Sequence, residues 1–396
     1  MRQIILFLLL FLSISGIPCE KSLAAENDSI RISMLTCDPG TEIFSLFGHT
    51  AIRYENPSRG IDAVFHYGLF SFNTPNFMLR FALGETDYQF GAFDYEHFAS
   101  EYISEERSVW QQTLNLTNEE KEKLIRLLEE NYQPANRVYR YNYFYDNCAT
   151  RPRDKIEESI TGTVEYPAYP ADGSKSYREI VHEYTAGHPW ARFGIDLCIG
   201  SEADRPITRR QMMFSPFYLQ DYFEKAVIVD KGEKRALVTK TEKIIDVPQE
   251  TNQGIWCPTP LQCSLLLFVL TALATIYGIR RKKGLWGVDL ALFSLAGIAG
   301  CLLAFLAIFS EHPTVSSNYL LFVFHPGQLF FVPYIVYCIR KGKRCWYHTL
   351  NFTILTLFML LFWLIPQRID FAVVPLALCL LIRSASNLVL TYKNKK

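Results

Sequence analysis

The last third of the chain holds apolar runs that are long enough to cross a lipid bilayer, and no other feature limits the possible folds so strongly. A helix of about 20 apolar residues spans the hydrocarbon core of a membrane. Five runs of this kind occur, at residues 261–279, 285–309, 319–339, 346–365 and 371–390. The sequence therefore predicts a polytopic α-helical membrane domain of about five spans over residues 261–396.

The basic residues between these runs predict the direction of crossing, because Lys and Arg are concentrated in cytoplasmic loops. Three basic clusters fall on one side if all five runs cross: residues 280–283, 340–344 and 393–396. The opposite loops, at 311–318 and 367–370, contain Arg368 as their only Lys or Arg. We therefore expect the membrane domain to begin outside the cytoplasm and to end inside it.

Polar residues inside the runs are candidate sites, because such residues are expensive in a membrane. His325-Pro326-Gly327 interrupts the third run, which indicates either a kink packed against a neighbouring helix or a functional site. Asp289 in the second run has the same two interpretations. Arg383, in the last run, is expected to extend toward the cytoplasmic face.

The N-terminal part of the chain is predicted to lie in the periplasm. Residues 1–25 have the layout of a cleaved signal peptide, and their apolar stretch is short for an uncleaved span. Residues 26–247 then form a periplasmic domain, and residues 248–260, with three Pro and one Gly, form the linker. The predicted location is the cytoplasmic (inner) membrane, multi-pass, with the N-terminal domain outside.

Charge supports this division into two parts. Of the 40 basic and 40 acidic residues, 13 basic and 3 acidic ones lie from Pro260 onward, so the two parts carry net charges of +10 and −10. The overall balance argues against a nucleic-acid partner, which requires a basic surface.

Strand and helix patterns alternate irregularly along residues 26–247, which predicts an α+β domain. Apolar alternation predicts strands at 30–36, 47–54, 63–72, 108–116 and 138–144, and a hairpin over 227–247. Thr117 and Glu120 form a capping box that opens a helix. Further helices are predicted from 147 or 148 to 160, at 176–184 and at 209–223.

Cys148 is the candidate nucleophile of this domain. Asn147 is a favoured helix cap, and Pro152 is tolerated only near a helix start, so Cys148 is placed in the first helical turn. Unpaired N–H groups there favour a thiolate, which predicts a lowered pKa for Cys148, and they could also hold an oxyanion. The positive charge of Arg151 is also expected to favour the thiolate and to lower the pKa of Cys148. A buried structural cysteine is the alternative.

A nucleophilic thiol requires a base, and His49 is the candidate. It lies in a predicted strand after Gly48, which would allow another backbone or a substrate to approach. His66 lies in the next strand, so that antiparallel pairing could place it where it orients the His49 imidazole. The alternatives are a buried structural His49 and a surface His66. His182 has no comparable setting and is expected to be structural.

The sequence gives no pattern for a metal or cofactor. The cysteines outside the apolar runs form no CxxC pair, and there is no HExxH motif. Cys37 and Cys198 could form a disulfide in an oxidising compartment, but spacing does not decide it.

Several segments together resemble known proteins. They are residues 35–40 (LTCDPG), 47–53 (FGHTAIR), 67–72 (YGLFSF), 139–142 (YRYN), 147–151 (NCATR) and 194–197 (GIDL) with Gly200, Asp204 and Arg205. The order of His, a second polar residue and an Asn-Cys helix start resembles the circularly permuted papain-like superfamily, which includes lecithin:retinol acyltransferase. The chain resembles more closely a family of Bacteroidota membrane proteins linked to lipoprotein N-acylation.

The resemblance implies an acyltransferase with a Cys148–His49 pair and a permuted papain-like fold. Position 66 departs from the family pattern, in which Asn is usual, so His66 is expected to supply a polar group rather than an indispensable one. We expect Asn147, Arg151, Tyr67 and Tyr141 to bind substrate; Tyr141 belongs to an aromatic run that could line an acyl groove or simply pack.

The implied reaction moves an acyl chain from a phospholipid, through a Cys thioester, to the α-amine of a diacylglyceryl-cysteine lipoprotein. The predicted partners are therefore phospholipid donors, diacylated lipoproteins and membrane lipids. Two alternatives remain: a membrane-anchored cysteine hydrolase, acting on cell-wall peptides or lipids, and a non-catalytic membrane receptor. Sequence does not decide the acyl donor, the chain length, transfer between or within molecules, a further catalytic residue or the oligomeric state.

Overall fold

A computed structural model describes residues 29–168, 175–248 and 257–393. The predicted signal peptide, with Cys19, and most of the predicted linker lie outside the described residues. The described chain forms a sheet domain followed by a helical domain, which confirms the predicted α+β domain and the polytopic helical domain.

A seven-stranded antiparallel sheet is the centre of the first domain. Its strands, in chain order, are β1 (Arg31–Cys37), β2 (His49–Asn56), β3 (Ile61–Leu69), β4 (Asp87–Asp94), β5 (Val109–Leu114), β6 (Val138–Arg140) and, after three strands of a smaller sheet, β10 (Val238–Ile245). Their order in the sheet is β10-β5-β1-β2-β3-β4-β6. The smaller sheet consists of β7 (Thr163–Glu165), β8 (Val227–Asp230) and β9 (Glu233–Ala236).

Helices cover both faces of the central sheet. They are α1 (Phe77–Leu83), α2 (Tyr95–Ser104), α3 (Asn118–Tyr132), α4 (Thr150–Ser159), α5 (Tyr177–Tyr184), α6 (Pro189–Cys198), α7 (Arg209–Met212) and α8 (Pro216–Glu224). Leu124 of α3, Ile156 of α4 and Leu219 of α8 are buried in the core on one face. Phe98 and Tyr102 of α2 close a smaller core on the other face.

Local patterns in the sequence predicted most of these elements. The capping box of Thr117 and Glu120 is present at the start of α3, as predicted. The predicted helix over 209–223 is two helices, because Pro216 starts a new one. The predicted strand over 138–144 is wrong beyond Arg140, where the chain turns. Elements α1, β4, α2, β7 and α6 were not predicted.

The helical domain contains α9 (Pro260–Arg280), α10 (Trp286–Phe309), α11 (Gly327–Phe330), α12 (Val332–Arg340), α13 (Trp346–Leu361) and α14 (Val373–Lys393). Within the described residues, four helices are long and apolar enough to cross a membrane, and a fifth span is formed if the bent pair over 319–340 is counted as one. That pair bends by 67°. The break lies close to His325-Pro326-Gly327, where the sequence predicted an interruption.

The bent span packs closely on α10. A Cβ added to Gly300 would lie 2.5 Å from the backbone of His325, and one added to Gly297 would lie 2.2 Å from the Leu329 nitrogen. The break is therefore held against a neighbouring helix, which is the first of its two predicted interpretations.

Arg383 does not extend to the cytoplasmic face, so that prediction is wrong. Its guanidinium is buried and donates to both carboxylate oxygens of Asp289, at 2.7 and 2.9 Å, and to the Thr275 hydroxyl at 3.1 Å. Asn387 donates to the same carboxylate. A buried charge requires such a partner, and Asp289 supplies it from another helix.

The loops predicted to lie outside the cytoplasm contact the sheet domain. Asn318 donates to the Leu197 carbonyl at 2.7 Å, and Gln367 donates to the Ile199 carbonyl at 3.2 Å. Gly200 donates its N–H to the Thr314 carbonyl at 2.6 Å. The end of α6 is therefore a docking point between the two domains.

A buried ion cluster fixes this docking point from inside the sheet domain. Arg178, which is fully buried, binds Asp196 at 2.7 Å and Asp204 at 2.9 Å and donates to the carbonyl of Gly200. His182 lies 2.9 Å from Asp196, so it has the structural contact that was predicted for it. Asp196, Gly200 and Asp204, which belong to the last of the segments that carry the resemblance, thus form one hydrogen-bonded cluster with Arg178.

Candidate active site

The candidate nucleophile and the candidate base lie at the same end of the central sheet. His49 begins β2 opposite Cys37 at the end of β1, and His66 pairs with Ala51 near the end of β3. Cys148 lies two residues before α4 and reaches this end from the side. Gly68 lies beside it, since a Cβ added to Gly68 would be in ordinary contact, 3.6 Å, with the Cβ of Cys148, and the φ of +93° at residue 68 is one that glycine adopts without strain.

Asn147 holds the segment that carries Cys148. Its side-chain oxygen accepts hydrogen bonds from the N–H groups of Ala149 and Thr150, at 2.8 and 2.9 Å. Its amide nitrogen donates to the carbonyls of Tyr143 and Phe214, both at 2.8 Å. Asn147 therefore caps the turn that leads into α4, and these four bonds occupy its amide within the fold. The helix itself begins at Thr150, so Cys148 precedes the first helical turn in which the sequence placed it.

Cys148 is partly exposed, and the Thr50 N–H and the Tyr141 hydroxyl face its sulfur. Burial raises the pKa of the Cys148 thiol above its usual value, while the Thr50 N–H and the Tyr141 hydroxyl lower that pKa in part. The expected lowering of the pKa by the helix start is thus wrong for the free protein, because desolvation outweighs these donors. Cys148 is a protonated thiol at neutral pH.

His49 and His66 form a hydrogen-bonded pair. The Nε2 atom of His49 lies 3.2 Å from the Nδ1 atom of His66. Burial holds the pKa of His49 well below its usual value and lowers that of His66 to about 4, so both rings are neutral at pH 7. One ring must then donate to the other, and Nδ1 of His49 is left for another partner.

The protonation of this pair decides whether His49 can act as a base. If His49 Nε2 carries the proton and donates to His66, then His49 Nδ1 has a free lone pair. In the opposite arrangement Nδ1 of His49 is protonated and cannot accept. An acceptor at position 66 therefore sets the tautomer that general-base chemistry requires.

Gly48 allows β1 and β2 to meet at the site. Its φ is +77°, and a Cβ there would lie 2.5 Å from the carbonyl oxygen of Cys37. The close approach predicted for Gly48 is to this backbone. Cys37 itself is a free, buried thiol, and burial raises its pKa to about 12. Cys198 is also free, so the two do not form a disulfide in this structure.

Two more of the predicted substrate-binding residues, besides Asn147, are engaged within the fold. The Arg151 guanidinium binds Asp146 at 2.6 and 2.7 Å and lies over the ring of Tyr139. The Tyr67 hydroxyl donates to Asn131, and its ring is fully buried. Their predicted contact with substrate stays a prediction. Tyr141 is the one of this group whose hydroxyl faces Cys148.

Sequence reasoning missed Thr50, Arg107 and Gly68. Thr50 contributes a backbone N–H, which its side chain does not reveal. Arg107 is buried, donates to the Asp38 carbonyl at 2.8 Å and lowers the pKa of both Cys148 and His49 through its charge. It lies far from both in sequence, so no local pattern could assign it. In the described ranges, no cluster of three or more His, Cys, Asp or Glu residues could hold a metal ion.

Comparison with known protein families gives two matches. A model described as the Lnb N-terminal periplasmic domain matches residues 22–185, and one described as the Lnb transmembrane domain matches residues 250–395. The chain is thus a multi-pass membrane protein with a periplasmic domain. Neither a curated protein nor a solved structure matches it. The first match contains Cys148, His49 and His66, and the second contains all the described spans.

Proposed function

The chain belongs to the Lnb family, and on this premise we propose that it is a lipoprotein N-acyltransferase of the inner membrane in which Cys148 carries the acyl group. The main observation in support is the placing of the Cys148 thiol against the N–H of Thr50, the residue that follows His49. His49 in turn contacts His66 at 3.2 Å. The proposed nucleophile, the proposed base and its proposed orienting partner thus share one end of the sheet.

In the first half-reaction, Cys148 takes the acyl chain from a phospholipid. His49 Nδ1 accepts the thiol proton as the sulfur attacks the ester carbonyl, and the negative charge moves to the carbonyl oxygen. The Thr50 N–H and the Tyr141 hydroxyl, which face the sulfur, are assigned as the donors to that oxygen. The C–O bond then breaks, the leaving alkoxide takes the proton from His49, and a lysophospholipid departs.

In the second half-reaction, an amine takes the acyl chain from Cys148. The neutral α-amine of a diacylglyceryl-cysteine lipoprotein attacks the thioester carbonyl and gives a proton to His49. The C–S bond breaks, and the sulfur regains the proton from His49. The products are an N-acylated, triacylated lipoprotein and the free thiol, so atoms and charges balance without a cofactor.

The setting of Cys148 favours transfer over hydrolysis. The rings of Tyr88 and Tyr141 stack with centroids 4.2 Å apart, and the Tyr141 hydroxyl donates to the sulfur. Burial raises the pKa of Tyr141 well above its usual value, so this hydroxyl remains a donor. Aromatic walls limit the access of water to a thioester, whereas an amine delivered by a membrane-anchored substrate is held at the site.

The test uses cells in which this protein is the only source of lipoprotein N-acylation. Mass spectrometry of N-terminal lipopeptides should show triacylated lipoproteins with the wild-type protein and diacylated ones with Cys148→Ala or His49→Ala. Cys257→Ala removes an exposed thiol and serves as the matched control with normal triacylation. Triacylated lipoproteins in the Cys148→Ala strain would remove Cys148 from the mechanism.

A further inference from the structure

The sheet domain exposes an apolar surface around α1. Large apolar side chains that are 46–74% exposed form it: Ile43, Phe44, Phe72, Met78, Leu79 and Phe81. We call these residues the α1 surface. Three of them lie on α1, and the others lie on the loops before β2 and after β3. A clustered apolar surface on a water-facing domain indicates a binding partner.

The α1 surface lies at the outer end of a membrane span. The Leu83 carbonyl accepts a hydrogen bond from the Glu311 N–H at 2.8 Å, and His312 contacts the Phe81 carbonyl at 2.6 Å. Glu311 follows α10 by two residues, and the last residues of α10, Ile308 and Phe309, are 70% and 62% exposed. The apolar surface of the span therefore continues onto the α1 surface.

A row of aromatic rings joins the α1 surface to the nucleophile. Phe72 contacts Phe70 with ring centroids 5.0 Å apart, and Phe70 contacts Tyr88 at 5.2 Å. Tyr88 stacks on Tyr141 at 4.2 Å, and the Tyr141 hydroxyl donates to Cys148. The row begins at exposed rings and ends at the sulfur.

We propose that the α1 surface enters the outer half of the bilayer and that the acyl chain of a membrane phospholipid passes from it along this aromatic row to Cys148. The proposal rests on the proposed function for the fate of the chain, but the contact with lipid does not depend on it. The occupant is a lipid because the α1 surface continues the apolar surface of a membrane span. Apolar rings also bind hydrocarbon chains without needing a hydrogen-bond partner.

The contact is tested first, on the full-length protein in vesicles of phosphatidylethanolamine and phosphatidylglycerol. A photo-crosslinking benzoylphenylalanine replaces Met78 in one sample and Ile61 in another. Ile61 is a matched control because it is also an exposed apolar residue, at the far end of β3, roughly 25 Å from the site end of that strand. Mass spectrometry should find phospholipid attached at position 78 and not at position 61. Equal attachment, or none at 78, would overturn the proposal.

Passage of the chain is tested with two acyl donors. Met78→Glu and Leu79→Glu should slow the acylation of Cys148 by vesicle phospholipid by at least about tenfold, because a charge opposes insertion. Acylation by a short, water-soluble ester should be unchanged in both variants. Ile61→Glu should match the wild type with either donor. Equal slowing with both donors would mean that the α1 surface supports the fold of the site instead.

The crosslinking experiment and the acylation experiment together distinguish a failure of this proposal from a failure of the proposed function. If wild-type Cys148 is acylated by neither donor, the acyltransferase mechanism is wrong, while crosslinking still decides whether the α1 surface contacts lipid. If acylation occurs but position 78 attaches no lipid, the mechanism stands and this route is wrong.

Discussion

At the scale of single residues, burial moves the pKa values of Cys148 and His49 in opposite directions. Both shifts disfavour the charged form: the thiol holds its proton more tightly, and the imidazole loses its proton more easily. The free protein thus contains a thiol and a neutral imidazole rather than a thiolate–imidazolium pair. The thiolate forms only when the proton moves to His49 during attack.

The reactivity of Cys148 toward iodoacetamide should depend steeply on pH. Because the pKa of the thiol is raised, the thiolate is scarce at pH 7, and alkylation should rise about tenfold per pH unit up to pH 9. Peptide mass spectrometry of Cys148 after timed alkylation measures this. A rate that is fast and constant from pH 6 to 9 would instead indicate a preformed ion pair.

Replacing His66 should separate the hydrogen bond that it accepts from the presence of its ring. His66→Asn retains a side-chain acceptor for His49 Nε2–H, so acylation should stay within about threefold of wild type. His66→Ala removes the acceptor and frees the ring to turn, which should slow acylation by about 100-fold. Slowing by both variants to the same extent would show that an acceptor at position 66 is not what matters.

At the scale of elements, the sequence predicted what is local and missed what is not. The cap at Asn147 and the capping box of α3 were predictable because the N–H groups that are capped lie within three residues of the capping side chain. Strand β4 was missed because it contains Gly91, and because α2 follows it with no turn residue between them. Its strand conformation depends on pairing with β3, where Gly91 lies opposite His66.

Loss of the Asn147 amide should affect both stability and reaction. Asn147→Ala leaves two N–H groups and two buried carbonyls without their partner, so unfolding free energy should fall by about 2–4 kcal/mol. Acylation of Cys148 should fall too, since the amide positions the segment. Denaturant unfolding and timed acylation measure the two effects. Normal values in both would contradict the role of Asn147 as the cap of the Cys148 segment.

At the scale of the whole molecule, the two domains act through a fixed junction. Basic clusters predicted which loops lie outside the cytoplasm, and those loops contact the sheet domain. The Arg383–Asp289 pair could not be predicted, because its members are 94 residues apart in sequence. The pairing of Arg178 with Asp204 could not be predicted either, because these residues are 26 positions apart in sequence.

Gly200 provides a test of this junction. A Cβ at Gly200 would lie 2.5 Å from the Ser317 carbonyl oxygen, whereas one at Gly194 would meet no described atom within 4 Å beyond its chain neighbours and the backbone of its own helix. Gly200→Ala should therefore shift the domains and slow acylation of Cys148 by vesicle phospholipid about tenfold, with little effect on a soluble ester. Gly194→Ala is the control. Unchanged acylation by vesicle phospholipid in Gly200→Ala would show that activity does not need this docking.

The central claim is that Cys148 carries an acyl chain, and one measurement tests it directly. The purified full-length protein is mixed with phospholipid vesicles without an acceptor, and its intact mass is recorded. We predict a gain of one acyl chain on Cys148 that hydroxylamine releases and that is absent in His49→Ala. An unchanged mass while free fatty acid accumulates would contradict the account and indicate a hydrolase.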